Sequence, residues 1–232
     1  MDSLLFTGGS GLLGKEMQKL MPYMLYPSHK DFNITNLEQM EKYICGRDIK
    51  VLVHAAANTN LLGIENNPYQ ALNINIRGTT NIVELCMMCG IKLIYISTDY
   101  VFSGKDGCYK EGDDLNPVNK YAWSKLGGEC VVKLYNNSII VRTSFGSTKF
   151  PYQKAFIDQV TSRETVDKFA KKLVKIINSD YTGVIHVGGN VTTVYQYARK
   201  LNKKVGFMSR LEVPLDIPRN TSLNCNLYKS MF

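Results

Sequence analysis

The chain has 232 residues, a formal net charge of +8, and 44% hydrophobic and 21% charged residues. That size allows one sheet-and-helix domain plus a small lobe, and the composition excludes a disordered, fibrous or disulfide-stapled protein. No apolar run is long enough to cross a bilayer, and Met1-Asp2-Ser3 into Leu4-Leu5-Phe6 is too short for the apolar core of a signal peptide. A cytoplasmic protein with six reduced cysteines is expected.

The positive balance suits an anionic partner, yet no basic run interleaved with aromatics marks a nucleic-acid surface. Lys168, Lys171, Lys172 and Lys175 share a helical stretch with Phe169, Leu173 and Ile176, so they read as the solvated face of an amphipathic helix. A pyrophosphate-bearing small molecule meets the charge equally well. Cys86 and Cys89 have the spacing of half a zinc site, but no second pair or nearby His completes it. They read as core thiols, and no metal is expected.

In chain order, Leu4 to Phe6 reads as a buried strand, and Thr7 leads into Gly8-Gly9-Ser10-Gly11-Leu12-Leu13-Gly14 ahead of a helix over Lys15 to Met21. Gly8 permits a tight turn, Gly11 lets the backbone approach a pyrophosphate, and Gly14 lets the helix lie close on the strand. The helix start adds free N–H groups and a positive dipole end. This strand, turn and helix predict dinucleotide binding. A second strand should fall within Tyr23 to Asp31. An acidic residue there would favour NAD, whereas Ser28, His29 and Lys30 suit a 2′-phosphate, so NADP(H) is favoured over NAD(H).

Further apolar, β-branched runs follow at Val51 to His54, Leu93 to Ser97, Ile139 to Val141 and Val184 to Val187. Helical segments are expected over Leu37 to Ile44, Tyr69 to Met88, Tyr121 to Leu134 and Asp167 to Ile177. Such alternation predicts an α/β fold with a doubly wound parallel Rossmann sheet, whose ligands sit beyond the carboxyl ends of the strands. The alternation lapses between Gly146 and Asp167, and Leu211 to Phe232 reads as irregular. The expected division is therefore a nucleotide-binding domain over 1–145, with 167–187 completing its sheet. Residues 146–166 and 188–232 would form a small, shortened C-terminal substrate lobe.

The strand over Leu93 to Ser97 ends in two hydroxyls, and that of Thr98, or of Ser97, can donate a hydrogen bond to a substrate carbonyl. Tyr121 and Lys125, four residues apart, share one helix face. Adding hydride to a ketone creates an alkoxide that must be protonated. A free Tyr titrates at about 10, so an ammonium beside it is expected to favour phenolate and ease proton exchange. The same spacing recurs at Tyr26 and Lys30, where Pro27 breaks any regular helix.

These residues resemble an extended short-chain dehydrogenase/reductase of the dTDP-4-dehydrorhamnose reductase type. The resemblance runs from Thr7–Gly14 through His54-Ala55-Ala56-Ala57, Asn75-Ile76-Arg77-Gly78, Ser97–Gly104, Tyr109-Lys110-Glu111 and Tyr121–Lys125. It continues in Arg142-Thr143-Ser144, Asp158-Gln159 and Pro218-Arg219-Asn220. It implies that Thr98, Tyr121 and Lys125 are catalytic. Gly8, Gly11, Leu12 and Leu13 would line the pyrophosphate, Ala55, Ala56 and Ala57 would lie along the cofactor, and Asn75 would brace the site. Asp99, Tyr100 and Val101 would sit near the sugar. The implied substrate is a dTDP- or UDP-linked 4-keto-6-deoxyhexose, reduced at C4 in rhamnose-type deoxysugar synthesis, and a homodimer is allowed.

The chain departs from the family at Ser103, where a loop carboxylate is expected, and at Ile217, where Arg is expected. It is also short between Gly146 and Asp158. A reduced substrate region would also suit a non-catalytic NADP-binding subunit resembling the β subunit of methionine adenosyltransferase. The intact Thr98, Tyr121 and Lys125 favour the enzyme.

Overall fold

The structure, a computed structural model, describes residues 3–232; Met1 and Asp2, from which the N-terminal reading starts, lie outside the described residues. Strands β1 (Leu4–Thr7), β2 (Val51–His54), β3 (Lys92–Ile96), β4 (Ser138–Thr143) and β5 (Gly183–Val187) pair in that order, every pairing parallel. Successive side chains point to opposite faces, and both faces are covered, which is why the strands are almost wholly apolar. Phe6, Val53, Ile94, Val141 and Ile185 pack against α1 (Leu12–Leu20) and a later helix, Val166–Ile177. Leu5, Leu52, Leu93, Tyr95 and Ile140 join the other core cluster, with Met40 and Ile44 of α2 (Leu37–Ile44) and Ile82 and Leu85 of α3 (Thr79–Cys89).

The strand expected within Tyr23 to Asp31 is reduced to one bridge. Phe6 N–H donates to Leu25 O at 2.9 Å and Leu25 N–H to Leu4 O at 2.9 Å. Pro22 and Pro27 bracket that bridge, and a residue without an N–H cannot extend a ladder. The chain still passes from Leu25 on one side of β1 to β2 on the other. That reversal opens a crevice beyond the carboxyl ends of β1 and β2.

The predicted helix from Tyr69 is continuous but not uniform. Tyr69–Ala71 leads into a π segment, Leu72–Gly78, then α3, which Gly90 ends in the left-handed conformation at φ 66°. α4 (Lys120–Val132) carries the Tyr-Lys pair, and α5 (Val166–Ile177) carries the lysine face. Those lysines are not all merely solvated: Lys172 pairs with Glu164 at 2.7 Å and donates to Gly188 O at 2.7 Å.

Beyond Thr143 the elements are short. Lys154–Phe156 pairs in parallel with Gly206–Met208, and Val160–Thr161 pairs antiparallel with Thr192–Thr193. Ala155, Val194, Ala198 and Val205 form a separate small core there. Two helices arise in this region where none was expected, as does Leu61–Asn66 earlier in the chain. α6 (Val194–Leu201) starts from a reciprocal Thr193–Gln196 capping box, and α7 (Asn226–Met231) lies in the tail read as irregular, with Tyr228 buried against the sheet core. α7, with six residues, is too short for a sequence period to stand out. The six cysteines are free, Cys86 buried and Cys89 exposed. Among the described residues, no cluster of three metal-ligating side chains occurs, and no helix is long and apolar enough to cross a membrane.

Candidate active site

The glycine turn brings backbones into direct contact. Gly8 has φ +82°, and a Cβ there would lie 2.9 Å from Ala56 N and 3.1 Å from Ala55 C. A Cβ on Gly14 would lie 2.5 Å from Gly8 O and Gly9 Cα. The ends of β1 and β2 therefore close on each other through bare main chain, with the start of α1 pressed into the turn. Gly11, the N-cap of α1, and Leu12 are exposed, whereas Leu13 turns its side chain into the core and leaves only its backbone at the turn. This is a cradle that a single added Cβ would fill, and its free N–H groups fit a dinucleotide pyrophosphate. Ser28, His29 and Lys30 are exposed beyond the Leu25 bridge, and Ser28 Oγ donates to Asp31 at 2.6 Å. Tyr26, just before them, lies 3.1 Å from where a Cβ on Gly9 would be.

Behind the cradle runs a buried chain of hydrogen bonds. Ala56 N–H donates to Thr7 Oγ1 at 3.3 Å, and Thr7 Oγ1 lies 2.8 Å from His54 Nδ1. His54 Nε2 lies 3.0 Å from Thr79 Oγ1, which donates to Asn75 O at 2.8 Å. Because Thr79 spends its proton on Asn75, His54 donates from Nε2 and accepts at Nδ1. Burial, with Lys125 adding repulsion, pushes His54 down to about 3, so the ring is neutral.

Asn75 extends the chain to α4, the helix that carries Tyr121 and Lys125. Its Nδ2 donates to Asn58 O at 2.9 Å and Ser124 Oγ at 2.8 Å, while Oδ1 accepts from Asn58 N at 2.7 Å. Ser124 Oγ in turn donates to Tyr121 O at 2.7 Å. The segment after Ala57 and the first turns of α4 are thus fixed to one side chain. Gly127 and Gly128 permit that approach: a Cβ on Gly127 would meet Ile76 at 2.8 Å, and one on Gly128 would meet Tyr95 Oη at 2.3 Å.

Tyr121 is half-buried; Lys125 is buried, its Nζ donating to Ile96 O at 2.8 Å and lying 4.1 Å from the centroid of the Tyr95 ring. Burial pushes Lys125 down to about 7, against an opposing pull from Glu129. The expectation that Lys125 lowers the Tyr121 phenol is not met in this geometry. Burial raises Tyr121, a hydrogen bond with Thr98 pulls the other way, and Asp99 and Tyr100 add to the rise. The physical reason is that the amine is engaged with a carbonyl and a ring face, not with the phenol.

Thr98 caps a single 3₁₀ turn, Asp99–Val101, by accepting from Tyr100 N at 3.2 Å. Asp99 faces inward: it is 2% exposed and accepts from Thr221 Oγ1 at 2.6 Å, Thr161 Oγ1 at 3.3 Å and Thr98 Oγ1 at 3.3 Å. Burial outweighs these bonds and raises it to about 6. Val101 is fully buried with Phe102, Tyr109, Leu223 and Cys225, so neither residue presents its side chain to an open pocket. Tyr100 accepts from Gln159 Nε2 at 2.8 Å, and its ring meets Tyr121 edge-on at 6.4 Å. Beneath the site, Arg142 grips Glu129 with both fully buried, at 2.9 Å for the closest contact, and Ser97 Oγ donates to Glu129 at 2.5 Å.

Sequence reasoning had no role for Ser124, Glu129 or His54 beyond its place in a motif. The available signals were spacing, with Ser124 and Glu129 on the helix that carries Tyr121 and Lys125, and a lone His closing an apolar strand.

A doubly wound sheet with a glycine turn at its switch point, followed by a Tyr-x-x-x-Lys helix, defines an extended short-chain dehydrogenase/reductase. Residues 1–172 match the family model described as the RmlD substrate binding domain. A dTDP-4-dehydrorhamnose reductase of Aggregatibacter actinomycetemcomitans is 31% identical, aligned over 82% of this chain and 63% of its own length. Methionine adenosyltransferase 2 subunit beta of Bos taurus is 33% identical over 58% of this chain and 43% of its own length. The alignments thus span less than two thirds of both relatives. The crystal structure of a dTDP-4-dehydrorhamnose reductase from Bacillus anthracis in complex with NADP superposes with a TM-score of 0.91 at 27% identity, covering 100% of this chain and 93% of that one. The chain belongs to the RmlD family.

Proposed function

We propose that the protein is an NAD(P)H-dependent reductase of the 4-keto group of a dTDP- or UDP-linked 4-keto-6-deoxyhexose, acting in the cytoplasm with NADP(H) preferred. The observation that carries the reading is the tie from the glycine cradle through Ala56, Asn58, Asn75 and Ser124 to Tyr121. A nicotinamide cofactor held there supplies hydride to the carbonyl carbon. Gly8, Gly11, the Leu12 and Leu13 backbone and Ala55–Ala57 would hold its pyrophosphate and neighbouring atoms, and Ser28, His29 and Lys30 would meet a 2′-phosphate.

The chain's own residues do the acid chemistry. Thr98 turns its hydroxyl from Asp99 to the substrate oxygen and orients it. Tyr121, protonated because it is buried, delivers its proton to that oxygen as negative charge builds. Lys125 offers its ammonium to the cofactor ribose and stabilises the phenolate left behind, a role that a pKa near neutrality suits. Tyr100, edge-on to Tyr121, borders the sugar.

Methionine adenosyltransferase 2 subunit beta is among the similar proteins, so the decisive measurement is turnover. NADPH absorbance should fall with a 4-keto-6-deoxy sugar nucleotide, and Tyr121→Phe should lower kcat roughly 10³-fold while leaving NADPH affinity within a few-fold. Turnover that survives Tyr121→Phe would remove the phenol from the mechanism, and no turnover at all would favour the regulatory reading.

A further inference from the structure

We propose that Glu129, clasped by Arg142, is a positioning residue for Lys125: through Ser97 it fixes the peptide that anchors the amine, and its charge keeps that amine an ammonium. The inference rests on the reductase reading for the use of the ammonium, but not for the geometry.

Glu129 stands one helical turn after Lys125 on α4, so the two share a face. Arg142 reaches it from β4, with Nε at 3.1 Å and Nη2 at 2.9 Å, and Ser97 Oγ donates to Oε1 at 2.5 Å. Ser97 is thereby held twice, because its N–H donates to Val141 O at 2.8 Å. The carbonyl just before it, Ile96 O, is the one that Lys125 Nζ holds at 2.8 Å, and Thr98 comes just after. One short stretch of chain thus carries both the anchor of Lys125 and the strand end that bears Thr98.

Arg142 is fixed in turn. Its Nη1 donates to Glu111 O at 3.0 Å and lies 3.5 Å from His186 Nε2, while His186 Nδ1 lies 3.0 Å from Tyr109 O. A guanidinium only donates, so His186 accepts at Nε2 and donates from Nδ1. Burial, with Arg142 adding repulsion, pushes His186 down to about 4, so this ring is neutral and adds no charge.

Stability alone does not account for such a pair. A buried ion pair is often replaced by apolar side chains of similar volume without loss, because two charges must be stripped of water to form it. Its charge has a nearer use. The titratable groups around Lys125 are His54 from β2, Tyr95 from β3, and Tyr121 and Glu129 from its own helix, with Arg142 of β4 behind Glu129. His54 is neutral, and burial raises both phenols, so they keep their protons. Among these described residues Glu129 is the one anion, and it alone opposes the burial that strips Lys125 of its proton.

Carbon-13 NMR of protein labelled at lysine Cε reads the ammonium without any turnover. One signal, absent from Lys125→Arg, is expected to titrate at about 7 in the wild type. Glu129→Gln should lower it by about one pH unit or more, and Glu129→Asp, which keeps the charge, should restore most of the shift. In turnover of NADPH with a 4-keto-6-deoxy sugar nucleotide, kcat should fall as pH rises through the Lys125 titration. Glu129→Gln should move that fall to lower pH by the same amount, lowering kcat about 10-fold at pH 8. Ser97→Ala leaves the charge in place, so kcat should drop about 3–10-fold at every pH with the midpoint unmoved. A merely structural role would change the amount of folded protein and not the midpoint.

If Glu129→Gln does not fold, the apolar double variant Glu129→Leu/Arg142→Met should stay folded and give the same downward shift. A Lys125 titration unmoved in Glu129→Gln, or in the double variant where the single one does not fold, overturns the charge role. Wild-type kcat in Ser97→Ala overturns the anchoring role. A Lys125 signal that follows Glu129 in a protein without turnover would leave the positioning role of Glu129 standing and the reductase reading fallen. Turnover with a Lys125 titration indifferent to Glu129 would do the reverse.

Discussion

The molecule has two polar junctions built on opposite principles. Behind the glycine cradle, neutral His54 sits between Thr7 and Thr79 and must stay unprotonated. Where the lobe meets the sheet, Asp99 holds Thr161 and Thr221 with a carboxylate that burial would rather see protonated. The first junction joins segments through one aromatic ring whose hydrogen-bond directions leave a single tautomer. The second ties residues 62 and 122 positions apart in the chain through one small side chain. Acid acts on them in opposite senses. His54 binds protons in the unfolded chain between about 6.5 and about 3 and not in the folded one, so stability is lost as pH falls through that window. Asp99 binds protons more readily in the folded chain between about 3.8 and about 6, so its contribution grows as pH falls and shrinks as pH rises.

The sharpest break of this comparison is a pH series of unfolding free energies. His54→Gln should flatten the acid limb, removing a loss on the order of 4 kcal/mol between pH 6.5 and pH 3. Asp99→Asn should act in reverse, abolishing a decline of about 3 kcal/mol between pH 4 and pH 6. An unchanged slope in either variant would show that its junction does not set that limb.

Next in size is Gly14→Ala, whose new methyl would meet backbone at 2.5 Å with no flexible side chain to yield. A loss of about 2–3 kcal/mol is expected, with NADP affinity falling alongside stability. Thr221→Val strips the 2.6 Å bond from Asp99 and should cost about 1–3 kcal/mol, more at pH 8 than at pH 4.5 because only the ionised carboxylate is left short of a donor. The smallest effect belongs to the exposed edge at Lys30, proposed to meet the cofactor. Lys30→Ala should lower NADP affinity about 3–10-fold and leave NAD affinity nearly unchanged, read by fluorescence titration of each cofactor.

The cradle half was legible in the sequence because its determinants are local: a glycine turn between one apolar run and one helix, and a pair at helical spacing. All five sheet strands fall within two residues of their expected ends at either side. The exception is Leu25, where two prolines cut a strand to a bridge. The lobe was less legible because its ladders are only two or three residues long and its ties cross the chain. Asp99 and Val101 were read toward the sugar, but nothing in the local sequence says that Thr221 will turn the carboxylate inward. Lys125 had the right helix face, yet its preference for the Ile96 carbonyl depends on where β3 ends.

The widened π turn at Leu72–Gly78 has a consequence for how the gene can change. Wound as ordinary α-helix, the same residues would swing everything downstream by about 100°. Ile82, Val83, Leu85 and Cys86 would leave the hydrophobic interior together, and Thr79 would lose sight of His54. The segment thus acts as a phase adjuster between the helix that bears Asn75 and the sheet beneath it. Along this helix it is the one described place where a residue can be lost, the turn relaxing to ordinary winding, with the downstream phase nearly kept.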